Sequence, residues 1–86
     1  MAKPSKREAV ALAIVQGLRN ERIRQQLSME RVAEKAGLSQ GMISLVERDL
    51  RSPTIDTLLR ISEALDVNLG KIVLQAIEAA KKSARN

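Results

Sequence analysis

The stretch at residues 27–49, LSMERVAEKAGLSQGMISLVERD, constrains the fold most, because it holds two short helical patterns on either side of one glycine. Ser28 and Ser39 are good N-caps, and each stands just before one of the patterns. Gly37 can adopt the left-handed conformation that ends a helix, and Leu38 after it is expected to face inward. The apolar residues that share one face of each helix are Val32, Ala33 and Ala36, and then Ile43 and Val46.

Two short helices joined by a glycine turn are typical of a helix-turn-helix, whose second helix can enter the major groove of DNA. The same spacing also fits an ordinary pair of antiparallel helices inside a small bundle. The spacing alone leaves both interpretations open, so the rest of the chain has to decide between them.

Composition narrows the class of function. The chain has 86 residues, enough for one domain with a modest core. It contains no cysteine and no histidine, which excludes disulfides and thiolate metal sites and removes the commonest general base. We therefore expect neither a cofactor nor an enzyme.

The charge balance points to the type of partner. Fifteen Lys and Arg residues against ten Asp and Glu residues give a net charge of +5, which favours a polyanion. The chain has no Phe, Tyr or Trp, so base stacking on aromatic rings is excluded. If the partner is a nucleic acid, duplex DNA is therefore favoured over single strands.

No apolar stretch approaches the roughly 20 residues that a membrane span requires. The basic start followed by the run AVALAIV has the outline of a signal peptide, but Glu8 and Gln16 bracket that run. We expect a cytoplasmic protein without a membrane partner.

The periodicity predicts an all-α fold of five helices, with an extended first and last helix and no strand. The helices are expected at residues 6–26, 29–36, 40–49, 55–65 and 69–82. A flexible arm at residues 1–5 precedes the single domain at 6–82, and residues 83–86 are expected to form a frayed tail. Thr54 and Asn68 are predicted N-caps, and Asp49 is expected in the left-handed conformation after the third helix. The residues predicted to face inward from the first and fourth helices are Leu18, Ile23, Ile55, Leu58, Leu59, Ser62 and Leu65.

With these elements in place, residues 18–73 resemble the phage lambda repressor and Cro type of helix-turn-helix protein, the XRE family. The positions that carry the resemblance are Leu18, Arg19, Arg22, Leu27, Ser28, Val32, Ala33, Ala36, Gly37, Leu38, Ser39, Ile43, Ser44, Glu47, Arg48, Pro53, Leu58 and Leu65. The resemblance implies a lambda repressor-like domain with double-stranded DNA as its partner.

The resemblance also implies that residues 40–49 form the recognition helix. The implied base contacts, all on its outward face, are Gln40, Gly41, Ser44 and Leu45. Gln40 can pair with adenine N6 and N7, and Leu45 can either lie against a thymine methyl group or simply pack. Ser44 can bond a base or a phosphate. Met42 is ambiguous between the edge of the core and the groove.

Phosphate contacts are implied at Arg48 and Arg51, which flank the end of the recognition helix. They are also implied at the capped helix starts, Ser28 and Ser39, where backbone N–H groups favour anions. Arg19 is a weaker candidate for a phosphate contact, and a solvent-facing role is favoured for it.

Two departures from the family pattern bear on DNA affinity. Met29 stands where the family usually has Gln, and Asp49 and Leu50 stand where it usually has Gly and Lys. Like Arg19, Arg31 is a weaker candidate for a phosphate contact, and a solvent-facing role is favoured for it.

Arg22 and Glu47 match a family pair that bonds between the first and third helices. Both are expected near the domain interior, where an unpaired charge is costly. We therefore predict a structural ion pair between them.

Two apolar surfaces exceed what one small core needs: residues 9–15, which are apolar nearly all round, and the stripe along the last helix. We predict a two-fold homodimer, with most of its interface contributed by Ile72, Val73, Ala76 and Ile77. The alternative is that both surfaces only complete the core of the single chain. Whether the first helix joins the dimer interface is left open.

The expected function is sequence-specific binding of double-stranded DNA by a homodimer that regulates transcription from a pseudo-palindromic operator. A phage-like repressor, a restriction–modification controller and an antitoxin of the same fold all fit this class, with RNA polymerase or a toxin as a further candidate partner. A protein-interaction module that binds no DNA is the alternative from another class.

Overall fold

The computed structural model describes residues 4–84 and contains five α-helices and no strand in that part of the chain. They are α1 (Lys6–Arg24), α2 (Met29–Ala36), α3 (Gln40–Glu47), α4 (Ile55–Ala64) and α5 (Leu69–Ala84). The predicted all-α fold is confirmed. No helix within the described range is both long and apolar enough to cross a membrane.

The four predicted N-caps are present. The side-chain oxygens of Ser28, Ser39, Thr54 and Asn68 each accept a hydrogen bond, at 3.0–3.1 Å, from the backbone N–H three residues later. Each bond satisfies one of the N–H groups that a helix start leaves without an intrahelical partner.

A fifth cap lies inside the predicted flexible arm. Ser5 Oγ accepts from the backbone N–H of Glu8 at 3.1 Å, and Glu8 Oε1 accepts from the backbone N–H of Ser5 at 3.0 Å. This reciprocal capping box orders the start of α1, so the arm prediction was wrong for Ser5. Residues 1–3 of the arm, and 85–86 of the predicted tail, lie outside the described residues.

Helices α1 to α4 all end in the same way. A residue in the left-handed conformation follows each helix, and the next backbone N–H bonds the carbonyl five residues back at 2.9–3.0 Å. The left-handed residues are Gln26, Gly37, Asp49 and Asp66. Because this closure halts the helix, α1 ends at Arg24, two residues before the predicted end. Helix α5 runs two residues past its predicted end, to Ala84.

The residue after each left-handed position usually packs on the core. Leu27, Leu38 and Val67 do so, as is common for this kind of helix ending. Leu50 is the exception, since 63% of its surface is exposed.

The core lies where α1, α2, α3 and α4 meet. Its buried members are Val15, Leu18, Val32, Ala33, Ala36, Ile43, Val46, Leu58, Ile61, Ala64 and Leu65. Three residues predicted to face inward are exposed instead: Ile23, Ile55 and Leu59. On α4 the buried face is centred on Leu58, Ile61 and Leu65, which at 3.6 residues per turn places Ile55 and Leu59 about a quarter turn or more away.

Helix α5 packs along α1 of the same chain. A Cβ atom added at Gly17 would lie 3.3 Å from Cγ2 of Ile72, so this glycine lets the two helices approach closely. Helix α1 is continuous through Gly17. Ala76 is only 3% exposed at this contact, so the prediction that it contributes to a dimer interface was wrong: its surface is already covered within the chain.

Candidate nucleic-acid interface

Helix α3 is anchored by one face and presents the other. Ile43 and Val46 are fully buried in the core. Gln40 and Gly41 are exposed at its first turn, while Ser44 and Leu45 are half-buried on the same outward side. The four residues predicted to contact bases are therefore brought together on one surface of one helix.

Met42 belongs to the core side. It is half-buried and packs against the hydrophobic core, which resolves its ambiguity in favour of packing. The half-buried state of Leu45 is compatible with both of its interpretations.

Nothing in the chain's own packing requires glycine at position 41. A Cβ atom there would meet no atom closer than Ser39 Oγ at 3.9 Å, which is ordinary van der Waals contact. The φ angle of Gly41 is not positive, so its backbone conformation does not require glycine either. Glycine inside a helix is less stable than alanine by roughly 0.5–1 kcal/mol, so the residue carries a cost that folding alone does not explain.

The predicted phosphate contacts lie at both ends of α3 and at the start of α2. Ser28 and Ser39 are exposed, and each hydroxyl accepts a backbone hydrogen bond, which leaves its own proton available for donation. Arg48 is the C-cap of α3, and Arg51 lies in the following loop; both are exposed. Within residues 4–84 neither arginine forms an ion pair.

The two departures from the family pattern have different structural outcomes. Met29 is half-buried against the core, so it serves packing rather than a surface contact. Asp49 is exposed between the two arginines, with φ of 56°. It adds a negative charge where a phosphate contact is predicted.

Arg22 and Glu47 form the ion pair that links α1 to α3. Arg22 Nε and Nη2 donate to the two carboxylate oxygens of Glu47 at 2.7 and 2.9 Å, and Nη1 donates to the carbonyl of Leu27 at 2.8 Å. The Arg22 side chain is 12% exposed and that of Glu47 is 9% exposed. The hydrogen bonds that Arg22 donates to Glu47 raise the pKa of Arg22, so its guanidinium stays charged.

One positioning contact was missed from the sequence. Gln25 Nε2 donates to the carbonyl of Leu65 at 2.7 Å and to Glu21 Oε1 at 3.0 Å. It ties the end of α1 to the end of α4. No short-range sequence pattern predicts the bond to Leu65, because Gln25 and Leu65 lie 40 residues apart in the sequence.

The predicted dimer residues divide between two sides of α5. Ile72 and Ala76 lie beside α1, where they line a groove of about 250 Å³ with Gly17. Ile77 lines a second, more apolar groove of about 430 Å³ with Val10 and Ile14 of α1. Val73 is half-buried, and its neighbour Leu74 is 60% exposed.

The described residues hold no cluster of three or more His, Cys, Asp or Glu side chains that is suited to a metal ion. The candidate site is a surface built from one helix, its flanking cations and two capped helix starts.

Comparison with known proteins agrees with this geometry. A model of the helix-turn-helix family matches residues 18–72. Two curated relatives, each an uncharacterised HTH-type transcriptional regulator from a strain of Mycobacterium tuberculosis, are 37% identical over 59 residues, which is 69% of this chain. The chain spans only 42% of the length of these relatives.

Solved structures show the same fold. A mutant of the restriction–modification controller protein C.Esp1396I has a TM-score of 0.77 at 25% identity, over 85% of this chain and 95% of that one. The clp gene regulator ClgR from Corynebacterium glutamicum has a TM-score of 0.78 at 21% identity, over 88% and 81% of the two chains. At that identity the second likeness concerns the fold alone.

Proposed function

Because this chain belongs to the XRE-type helix-turn-helix family of lambda repressor and Cro type, we propose that it binds double-stranded DNA in a sequence-specific manner and regulates transcription. The observation that carries the proposal is the two-sided character of α3. One face is locked into the core by Ile43 and Val46, and the other presents Gln40, Gly41, Ser44 and Leu45. Two arginines follow this helix, Arg48 and Arg51, and neither forms an ion pair within residues 4–84.

In the proposed complex α3 lies in the major groove. The carboxamide of Gln40 bonds adenine N6 and N7, and Leu45 lies against a thymine methyl group. Gly41 lets the helix backbone approach the bases, which accounts for a glycine that internal packing does not require. Ser44 bonds a base or a phosphate.

Phosphate contacts position the helix in this proposal. Arg48 and Arg51 bind the backbone at the C-terminal end of α3. The N-termini of α2 and α3, with the hydroxyl protons of Ser28 and Ser39, bind phosphates at the other end. Neutralising phosphates releases condensed counterions, so binding should weaken steeply with salt.

A homodimer completes the proposal, because one recognition helix reads only a few base pairs and two half-sites lie one DNA turn apart, about 34 Å. Support comes from the apolar flank of α5 that its own chain leaves partly uncovered, at Val73, Leu74 and Ile77. Val10 and Ile14 of α1 lie beside Ile77, so the interface includes α1. A two-fold dimer reads an inverted repeat.

A role as a restriction–modification controller is a second candidate within this class. It is favoured by the likeness to one such protein along nearly the whole of that protein's length. An assay of the promoter of an adjacent restriction gene would separate it from other regulators.

A protein-interaction module that binds no DNA is favoured by a different observation. Leu50, where the family usually carries a cation, is apolar and largely exposed, and the acidic Asp49 precedes it. The apolar side chain of Leu50 would suit a protein surface, and the negative charge of Asp49 disfavours a phosphate at this position.

Titration of a fluorescent random-sequence duplex separates DNA binding from the protein-interaction alternative. We expect retention at low salt and a loss of several orders of magnitude in affinity between about 50 and 200 mM salt if a dimer makes some 6–10 phosphate contacts. The matched control is the double variant Arg48→Gln, Arg51→Gln, which should bind more weakly with a shallower salt dependence. Failure of the wild-type chain to retain any duplex at low salt would overturn the proposal.

A further inference from the structure

Arg19 approaches the buried ion pair from the outside. It lies on α1 one turn before Arg22, and its Nε is 3.8 Å from Oε1 of Glu47. That distance is too long for a hydrogen bond. The side chain of Arg19 is 52% exposed, so about half of its surface faces solvent.

The hydrogen-bonding capacity of Glu47 does not depend on a second arginine. Both of its carboxylate oxygens already accept hydrogen bonds from Arg22. The two guanidinium groups therefore leave one net positive charge on this cluster. That charge lies at the last residue of the recognition helix, and the next residue along the chain is Arg48.

Three other exposed arginines are engaged differently. Arg24, Arg31 and Arg60 each donate a hydrogen bond to a carboxylate on their own helix. The bond from Arg24 lowers the pKa of Glu21 to about 2, so that pair stays charged and occupied. Among the residues described, Arg19 by contrast forms no hydrogen bond through its side chain.

We propose, resting on the DNA-binding function above, that Arg19 is a further phosphate-binding residue, held beside the C-terminal end of α3 by the charge of Glu47. The long-range attraction orients the guanidinium without using its N–H donors. A phosphate oxygen can then accept the paired N–H donors that suit planar, bidentate recognition. The contact extends the phosphate surface of the recognition helix onto α1.

The test compares Arg19→Gln with Arg24→Gln in duplex titrations over a range of salt. Each variant removes one exposed arginine from α1, but Arg24 has its own carboxylate partner. One lost phosphate contact lowers the slope of log affinity against log salt by about 0.9 per bound chain. The advantage of the wild-type chain over Arg19→Gln should therefore shrink about three- to fourfold when salt rises fourfold, whereas Arg24→Gln should keep the wild-type slope. Thermal melting checks that both variants fold.

Each outcome is decisive. If the wild-type chain binds DNA and Arg19→Gln keeps its salt slope, the proposal for Arg19 is overturned while the DNA-binding function stands. If Arg24→Gln lowers the slope equally, the effect is one of overall charge and the proposal is overturned too. If the wild-type chain binds no duplex at low salt, the proposed function itself fails. Arg19→Lys retains the charge and should retain the slope.

Discussion

Arg22 on α1 donates hydrogen bonds of 2.7 and 2.9 Å to the two carboxylate oxygens of Glu47, the last residue of α3. A third hydrogen bond from the same guanidinium reaches the carbonyl of Leu27. One largely buried ion pair thus joins α3, α1 and the link between α1 and α2. The orientation of α3 relative to the rest of the domain depends on it.

Glu47→Gln should lower the free energy of unfolding by about 3–5 kcal/mol, because it leaves the charge of Arg22 buried without its partner. Urea denaturation monitored by circular dichroism measures this change. Arg24→Gln, which removes an exposed arginine from its ion pair with Glu21, is the control and should destabilise the fold far less. An unchanged stability of Glu47→Gln would show that the pair contributes nothing.

Gly41→Ala should stabilise the fold by roughly 0.5–1 kcal/mol, since alanine is the better helix former and the added Cβ makes only an ordinary van der Waals contact, 3.9 Å from Ser39 Oγ. The same variant should bind DNA more weakly, because the methyl group holds the helix away from the bases. Gly37→Ala is the matched control: its φ of 70° and a contact of 3.3 Å with Arg60 Nη1 should make it destabilising. If Gly41→Ala leaves both stability and DNA affinity unchanged, the proposed close approach at this position is wrong.

The helix ends and starts could be predicted from the sequence because they depend on neighbouring residues. Ser28, Gly37 and Ser39 act within three or four positions along the chain. The buried faces of the helices were harder to predict, because Ile55 and Leu59 fit an inward-facing stripe of apolar residues as well as Ile61 does. Only the packing partners of α4 decide which of them are buried.

Contacts between residues that lie far apart in the sequence could be found only from the family resemblance or from the structure. The pairing of Arg22 with Glu47 was implied by the resemblance, whereas the nearness of Arg19 to the same carboxylate was not. Ala76 was assigned to a second subunit because the sequence does not reveal how closely α5 approaches Gly17. The base and phosphate contacts stay predictions.

Asp49→Asn should raise DNA affinity, because it removes a negative charge between Arg48 and Arg51. A unit charge about 7 Å from a phosphate in water is worth about 0.6 kcal/mol, so the gain should be roughly threefold. Asp49→Gly should give the same gain and should also stabilise the fold, since glycine adopts a φ of 56° without strain. Equal DNA affinities of the wild-type chain, Asp49→Asn and Asp49→Gly would show that Asp49 lies away from the DNA.

Val73→Asp should dissociate the proposed dimer, because it places a charge on the apolar flank of α5. Sedimentation at micromolar concentration should change from dimer to monomer, with helicity retained by circular dichroism. Gln75→Asp adds the same charge at an exposed position on the other side of α5 and should leave the dimer intact. A wild-type chain that sediments as a monomer would contradict the dimer directly.

The most direct test of the central claim is selection of bound sequences from a random duplex pool, run in parallel with the wild-type chain and with Gln40→Ala. If the outward face of α3 reads DNA, the wild-type chain should enrich an inverted repeat whose half-sites lie about 34 Å apart. One adenine preference in each half-site should disappear with Gln40→Ala. Enrichment of the same motif by both chains, or of no motif by either, would contradict the account.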